Sequence, residues 1–228
     1  MILTLGNDSL VTEFKFSIED AIQSNPNKQF DNIGVYLSGG VDSVALLLLI
    51  LTELQLNTRL YKIPVTCFTI AKRDFSVDIT PKIIELCEKK FNTSIVHINN
   101  VQKSINQENI EFKTFLNLYT EYKKTLFFLG INRMPENEIV KFKNKLKVDY
   151  GRRKDRFVYY SPFLFLHKPQ IIDIFYKLGH EDLLPYTYSC TMQPKIPCGN
   201  CYGCEERAWG FRFLEKEDPL FTQNRLTE

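Results

Sequence analysis

The sequence predicts an α/β protein in which a doubly wound, mainly parallel sheet of five strands is followed by a C-terminal zinc-binding lobe. Short apolar runs bounded by turn-forming residues alternate with helical segments, which is typical of βαβ units with right-handed crossovers. A glycine-rich turn at residues 38–40 separates the first apolar run from a long apolar helix. Four of the six cysteines lie between residues 190 and 204, close enough to share one metal ion.

The predicted elements follow one another in the order that such a sheet requires. Leu10, Phe14 and Ile18 recur every four residues, so a helix is predicted over residues 9–24. The strands are expected at residues 33–37, 65–70, 94–98, 125–129 and 159–165, and the helices between them at residues 41–54, 80–91 and 169–178. Two further helical segments are expected at residues 112–122 and within the charged stretch 132–156, so that helices cover both faces of the sheet.

The composition excludes several classes of protein. Of the 228 residues, 44% are hydrophobic and 25% are charged, which is the balance of a folded domain. The 29 basic residues nearly match the 27 acidic ones, so direct nucleic-acid binding over an extended surface is not expected. The longest apolar run, Val44 to Leu51, is far shorter than the roughly 20 residues that span a bilayer. We therefore expect no membrane partner. Because the first residues do not resemble a signal peptide, we expect a cytoplasmic location.

A turn of sequence Ser-Gly-Gly-Val-Asp-Ser begins at Ser38, where an open parallel sheet binds its ligands. Gly39 and Gly40 permit a close approach of the backbone, and the first amides of the following helix favour an anion. Ser38 and Ser43 can add hydroxyl donors, whereas Asp42 suits a magnesium ion or the support of the loop. We therefore predict a phosphate-binding loop. The competing interpretation is an ordinary strand-to-helix turn in which Asp42 caps the helix.

The cysteine cluster indicates a metal site. Its spacing, with no leftover ligand, is typical of a closed tetrahedral zinc site, which has a structural role because no position is open to water. An iron–sulfur cluster is the main alternative, although no Cys-Pro pair follows the last cysteine, and a disulfide is a more distant one. The isolated Cys67 and Cys87 are expected to pack as small hydrophobic residues.

The two ends of the chain together resemble a known family. The string from Ser38 to Ser43 resembles the pyrophosphate loop of N-type ATP pyrophosphatases. The last three cysteines and the residues after them, Cys198-Gly-Asn-Cys-Tyr-Gly-Cys-Glu-Glu-Arg-Ala-Trp-Gly-Phe211, resemble the QueC family of 7-cyano-7-deazaguanine synthases. The helix that starts near Lys168 is similar to the penultimate helix of that family.

The resemblance implies a reaction and a set of site residues. Members of the QueC family convert 7-carboxy-7-deazaguanine and ammonia to the 7-cyano base, and they use ATP to activate the carboxylate as an adenylate. It also implies one structural zinc per chain and a magnesium ion that accompanies ATP. Asp42, Ser43 and Lys168 are the implied catalytic residues. The implied ATP contacts are Leu37, Ser38, Gly39, Gly40, Val41, Asp42, Ser43, Ile70 and Gly130, and the implied zinc ligands are Cys190, Cys198, Cys201 and Cys204.

We expect three parts: an N-terminal helical extension over residues 1–30, the ATP-binding α/β domain over residues 31–185, and the zinc lobe with its tail over residues 186–228. The middle of the chain departs from the family, because residues 70–74 replace a Tyr-Gly-Gln run and residues 129–137 retain little of the substrate motif. Two alternatives stay open, and the departure from the substrate motif is what keeps the second of them open. One is a tRNA thiolation enzyme of the same superfamily, and the other is a catalytically silent nucleotide-binding sensor. Homodimer formation is left open as well.

Overall fold

The computed structural model describes residues 1–70, 76–100, 121–133, 159–193 and 196–223. Its elements are two strands, β1 (Ile2–Leu5) and β2 (Thr12–Lys15), then α1 (Ile18–Gln23), β3 (Asn32–Tyr36), α2 (Val41–Leu56), β4 (Val65–Ile70), α3 (Ser76–Phe91), β5 (Ile95–Asn100), β6 (Thr125–Phe128), β7 (Tyr159–Tyr160), α4 (Lys168–Leu178), a 3-10 helix (Glu181–Tyr186), α5 (Tyr202–Phe213) and α6 (Pro219–Gln223). The expected fold class, an α/β protein with a parallel five-stranded sheet, is confirmed.

The five-stranded sheet has the order β5-β4-β3-β6-β7, and every neighbouring pair is parallel. Val35 in the central strand β3 pairs with Cys67 on one side and with Phe128 on the other. The chain proceeds outward from β3 through β4 to β5 and later returns to place β6 on the opposite side of β3. This reversal creates a crevice at the carboxyl ends of β3 and β6, which is where open α/β sheets bind ligands.

The main hydrophobic core lies on one face of the sheet. Residues 44–51 of α2 are all buried, which explains why this helix is apolar on every side. Helix α2 contacts β3, α3 and α4, and α3 contacts β4 and β5. A smaller cluster around the buried Phe68 and Phe127 lies on the opposite face, as the alternation of side chains along a strand requires.

The predicted helix over residues 9–24 is wrong in its first half. β1 and β2 form an antiparallel hairpin in which Leu3 pairs with Phe14, and a helix begins only at Ile18. Phe14 and Phe16 are buried whereas Lys15 between them is exposed, so the two-residue alternation of a strand determines the structure here. The Ser17 hydroxyl then accepts a hydrogen bond from the amide of Asp20 and caps α1.

The remaining elements agree with the sequence predictions to within a few residues, although the last strand is confined to residues 159–160. The helix predicted over residues 80–91 begins earlier, at Ser76. Most of the helix expected over residues 112–122 and most of the charged stretch 132–156, and with them the coverage of the second face, lie outside the described residues. Within the parts of the chain that the structure describes, no helix combines the length and the apolar character needed to cross a membrane.

Candidate nucleotide and metal sites

The turn after β3 forms a compact loop closed by two serines. The Ser38 amide donates to Ser43 Oγ across 3.1 Å, and the two hydroxyl oxygens are 3.2 Å apart. Ser43 Oγ also donates to the carbonyl oxygen of Gly40 at 3.1 Å. Gly39 has a φ of 80°, a left-handed conformation that glycine adopts at little cost. The serines predicted to donate to a ligand therefore also hold the loop in shape.

The N-terminus of α2 points its first amides into this loop. Gly40 is the N-cap residue, and it provides no side-chain acceptor for those amides. A helix start of this kind favours a bound anion because its dipole and its unpaired N–H groups act in the same direction. The N-cap position belongs to Gly40, so Asp42 stands at the second position of the helix and is not its N-cap residue.

Gly130 follows β6 and lies against the loop from the other side of the crevice. A Cβ at this position would come within 2.9 Å of the carbonyl carbon and oxygen of Asp42 and within 3.0 Å of the Ser43 nitrogen. The backbone of β6 can approach the loop this closely only because residue 130 has no side chain. Gly130 thus contacts the predicted loop, whereas the side chains of Leu37, Val41 and Ile70 are buried in the protein.

Asp42 forms a buried ion pair with Lys168, the first residue of α4. The lysine Nζ lies 2.6 Å from Oδ1 and 2.5 Å from Oδ2 of Asp42. The Lys168 side chain is only 4% exposed, while Asp42 is 22% exposed. Two residues that the resemblance implies as catalytic are therefore brought together, across 126 positions of the sequence.

A second carboxylate, that of Glu206 in α5, completes the ion-pair triad. Its Oε2 is 2.9 Å from Lys168 Nζ, and its Oε1 accepts a hydrogen bond from Asn132 Nδ2 at 2.8 Å. Burial would lower the pKa of Lys168, but the Asp42 and Glu206 carboxylates outweigh it and the pKa is raised, so the lysine stays an ammonium. Burial raises the pKa of Asp42, and Glu206 acts in the same direction against the opposing effect of Lys168.

The four clustered cysteines converge, as their spacing predicted. The sulfur atoms of Cys190, Cys198, Cys201 and Cys204 all lie within 4.8 Å of one another. A tetrahedral zinc with Zn–S bonds of about 2.3 Å would place its sulfurs about 3.8 Å apart, so the cluster fits such an ion. The structure therefore shows that four cysteines could hold a metal ion.

Backbone donors favour the thiolate form at two of the four clustered cysteines. Burial opposes ionisation of Cys190, but the amides of Cys198, Met192 and Gln193 donate to its sulfur and lower its pKa to about 6. Burial likewise opposes ionisation of Cys201, whose pKa is nevertheless lowered by backbone donors. Burial and the neighbouring sulfurs of Cys201 and Cys190 instead raise the pKa of Cys204. The surroundings therefore favour the thiolate, which is the ligand form of cysteine, at Cys190 and Cys201.

Arg207 has a structural role that its sequence position did not reveal. Its guanidinium is buried and donates to both oxygens of Asp218, at 2.6 Å from Nε and 2.8 Å from Nη2. It also donates to the carbonyl oxygens of Leu184 and Thr187 at 3.1 Å each. Arg207 thereby connects α5 to the end of the 3-10 helix and to the start of α6.

Three supporting side chains were missed by the sequence predictions. Asn132 and Glu206 are separated by 74 positions, and no local pattern indicates that they meet. Thr69 Oγ1 donates to the carbonyl oxygen of Leu37 at 3.0 Å and lies 2.9 Å from His97 Nε2, which supports the strand end before the loop. The polar Thr69 in a wholly buried strand was the available signal, because a buried hydroxyl requires a partner.

Comparison with known families supports the C-terminal half of this site. The family model of the queuosine biosynthesis protein QueC matches residues 133–215. The resemblance to QueC is confirmed. The matched segment includes Lys168, Glu206 and the four cysteines, whereas the predicted phosphate-binding loop lies before it in the sequence.

Three curated relatives are 7-cyano-7-deazaguanine synthases. The protein from Persephonella marina is 37% identical over 84 residues, which are 36% of this chain and 35% of the relative. The protein from Methanosarcina barkeri is 33% identical over 82 residues, 32% of this chain and 35% of the relative. The protein from Chromobacterium violaceum is 31% identical over 61 residues, 27% of this chain and 26% of the relative. The matches thus span about a third or less of the length of these relatives.

Among solved structures, the U34-tRNA thiolase NcsA from Methanococcus maripaludis with its [4Fe-4S] cluster matches with a TM-score of 0.44 and 13% sequence identity. The match covers 95% of this chain and 84% of that one.

Proposed function

We propose that this chain is an ATP-dependent carbon–nitrogen ligase that converts 7-carboxy-7-deazaguanine and ammonia to 7-cyano-7-deazaguanine. The observation that supports this most is the ion pair between Lys168 and Asp42. It joins a lysine of the QueC-matched segment to a loop with the geometry of a phosphate site, so both parts of the resemblance lie at one crevice.

The proposed chemistry follows from the poor reactivity of a carboxylate. Its oxygen is a poor leaving group, and transfer of an adenylyl group from ATP to that oxygen converts it into a good one, with pyrophosphate released. Ammonia then displaces AMP and forms an amide. A second ATP transfers its adenylyl group to the amide oxygen and releases pyrophosphate. Loss of AMP and of both amide protons then leaves the nitrile, so no covalent bond to the protein is required.

In this proposal the loop binds the phosphates of ATP. The first amides of α2 and the backbone at Gly39 would supply donors that are already oriented before the ligand arrives. Because Gly130 has no side chain, the backbone that follows β6 can lie close to the same loop. Asp42 is the partly exposed carboxylate that would hold magnesium beside the phosphates, since hard divalent cations prefer oxygen ligands.

The four cysteines would hold zinc in a structural role. A four-thiolate zinc has no open coordination position, so the ion would stabilise the lobe without taking part in the reaction. The lobe contacts the loop directly, because the amide of Tyr188 donates to the carbonyl oxygen of Gly39.

The direct test is to supply purified protein with ATP, magnesium, ammonium and 7-carboxy-7-deazaguanine. We expect the nitrile base, identified by mass spectrometry, together with pyrophosphate. A second carboxylic acid without the deazaguanine ring serves as the matched substrate control and should give neither product. Binding of ATP without pyrophosphate release would contradict the ligase and favour a nucleotide-binding sensor. Transfer of sulfur to tRNA would instead favour the thiolation enzyme.

A further inference from the structure

Glu206 belongs to the cysteine lobe, yet its carboxylate is directed at the phosphate loop's ion pair. It lies two positions after Cys204 in α5, and its side chain is 5% exposed. One of its oxygens is 2.9 Å from Lys168 Nζ and the other accepts from Asn132 Nδ2 at 2.8 Å. This single side chain therefore joins the lobe, the start of α4 and the segment that follows β6.

The charges of the triad depend on one another. One ammonium lies between two carboxylates, and the side chains of Lys168 and Glu206 are almost completely buried. A buried charge is costly unless it has a partner, so removal of either carboxylate changes how strongly Lys168 holds the other. The place of Lys168 is thus determined by Asp42 and Glu206 together.

The packing of α4 against α5 restricts Lys168 further. A Cβ at Gly210 of α5 would lie 2.9 Å from Lys168 Cγ and 2.6 Å from Ile172 Cδ1. The two helices approach this closely because residue 210 has no side chain. The aliphatic part of the Lys168 side chain consequently packs against the helix that carries Glu206. This packing restricts the conformations of the side chain and so the position of its ammonium.

We propose that Glu206 is a positioning residue of the phosphate loop, which fixes the Lys168 ammonium and through it the orientation of Asp42. The inference rests on the proposed nucleotide chemistry of the loop. Lys168 connects Glu206 to the loop, because its ammonium contacts both the Glu206 and the Asp42 carboxylates. Since α5 also contributes Cys204 to the cysteine cluster, this contact gives the lobe a defined route by which it influences the loop.

The first experiment compares Glu206→Gln with Glu205→Gln, its neighbour on α5. Glutamine keeps the size of Glu206 and an oxygen that can accept from Asn132, so only the charge is lost. We expect turnover at saturating ATP to fall about tenfold or more, while the dissociation constant of ATP changes less than about threefold because the loop amides are intact. The Glu205→Gln variant should retain wild-type turnover. Wild-type turnover in Glu206→Gln, or an equal loss in Glu205→Gln, would overturn the proposal.

The second experiment is a thermal-melting cycle on ligand-free protein, with Glu206→Gln, Lys168→Met and the double variant. Lys168→Met leaves two carboxylates facing each other without a cation. Adding Glu206→Gln removes one of them, so the double variant should melt above Lys168→Met alone. A double variant that melts no higher would show that Glu206 does not act through Lys168.

The two experiments separate the inference from the proposed function. A wild-type protein that neither binds ATP nor releases pyrophosphate would refute the proposed function, and with it the role of Glu206 in the loop. In that case, a double variant that melts above Lys168→Met would still establish the ionic coupling between Glu206 and Lys168. Normal wild-type turnover with an unaffected Glu206→Gln variant would instead refute the inference alone.

Discussion

The backbone amide of Tyr188 donates a hydrogen bond to the carbonyl oxygen of Gly39 across 2.8 Å. Tyr188 stands two residues before Cys190, and Gly39 is the residue of the loop with positive φ. The chain that enters the cysteine cluster therefore passes directly beside the loop. Together with the contact of Glu206 and Lys168, this gives the lobe two separate attachments to the proposed nucleotide site.

Replacement of Gly130 by alanine tests the close approach of β6 to the loop. The added Cβ would come within 2.9 Å of the Asp42 backbone, so the loop must shift to admit it. We expect ATP binding to weaken about tenfold or more, since loop amides act only when correctly oriented. Isothermal titration calorimetry measures this directly.

The matched control for that variant is Gly179→Ala. Gly179 has a φ of 68° at the end of α4, and a Cβ there would meet nothing within 4 Å. This variant should lose about 1 kcal/mol of stability from backbone strain and keep its affinity for ATP. Equal affinities for ATP in Gly130→Ala and the wild type would contradict the proposed position of the phosphate site.

Replacement of Asp42 by asparagine tests the carboxylate of the loop. The change keeps the shape of the side chain, and Lys168 retains Glu206 as its partner, so the fold should persist. We expect turnover to fall about 100-fold or more, because the charge that would hold magnesium is lost. Pyrophosphate release and circular dichroism are measured on the same sample.

Asp20→Asn is the control for the loss of one carboxylate, because Asp20 pairs with Lys15 at the surface of the N-terminal segment. It should leave pyrophosphate release unchanged. If Asp42→Asn turns over as fast as this control, Asp42 is not part of the site.

The central part of the site could be predicted because its signals are local. An apolar run followed at once by Ser38, Gly39 and Gly40 is enough to place a buried strand, a tight turn and a helix start. The cysteines likewise lie close together in the sequence, so their convergence needs only short turns. The predicted boundaries of α2 and β4 were accordingly accurate to within two residues.

The triad could not be predicted in the same way. Asp42 and Lys168 are far apart in the sequence, and their pairing depends on how α2 and α4 pack on the sheet. Glu206 lies next to Glu205 and resembles any acidic residue of a surface helix until α4 covers it. The hairpin of β1 and β2 was missed for a related reason, because Leu10, Phe14 and Ile18 fit a helical spacing and the burial that identifies a strand is set by tertiary contacts.

The stability of the protein should depend on pH through Glu53 of α2. Its side chain is 7% exposed, Oε1 accepts from the amide of Ile18 at 2.8 Å, and Oε2 is buried without a hydrogen-bond partner. Burial raises the pKa of Glu53 above its ordinary value of 4.5. Because the folded protein then holds this proton more tightly than the unfolded chain, the free energy of unfolding falls as the pH rises from about 4.5 through the folded-state pKa.

Glu53→Gln should remove this pH dependence and be more stable than the wild type at pH 7, by on the order of 1 kcal/mol. The glutamine oxygen can still accept from Ile18, and no charge is buried. Urea unfolding at several pH values measures the difference, with Glu13→Gln on the exposed face of β2 as the control. A wild type whose stability relative to Glu53→Gln is the same at pH 4 and pH 7 would contradict this account.

The cysteine lobe should contain about one zinc per chain, and Cys201→Ser should lose it. Binding of structural zinc contributes directly to folding, on the order of 10 kcal/mol in small zinc peptides, so the lobe should loosen while the main sheet keeps its own core. Because Tyr188 and Glu206 connect the lobe to the loop, pyrophosphate release should fall as well. Cys87→Ala, which removes a buried thiol of the main core, is the matched control and should keep its zinc.

Metal analysis, limited proteolysis and pyrophosphate release are measured on one preparation of Cys201→Ser. We expect cleavage beyond Tyr188 together with loss of pyrophosphate release. Full pyrophosphate release without zinc would show that the loop does not depend on the lobe, and iron in wild-type protein prepared without air would identify a different metal centre.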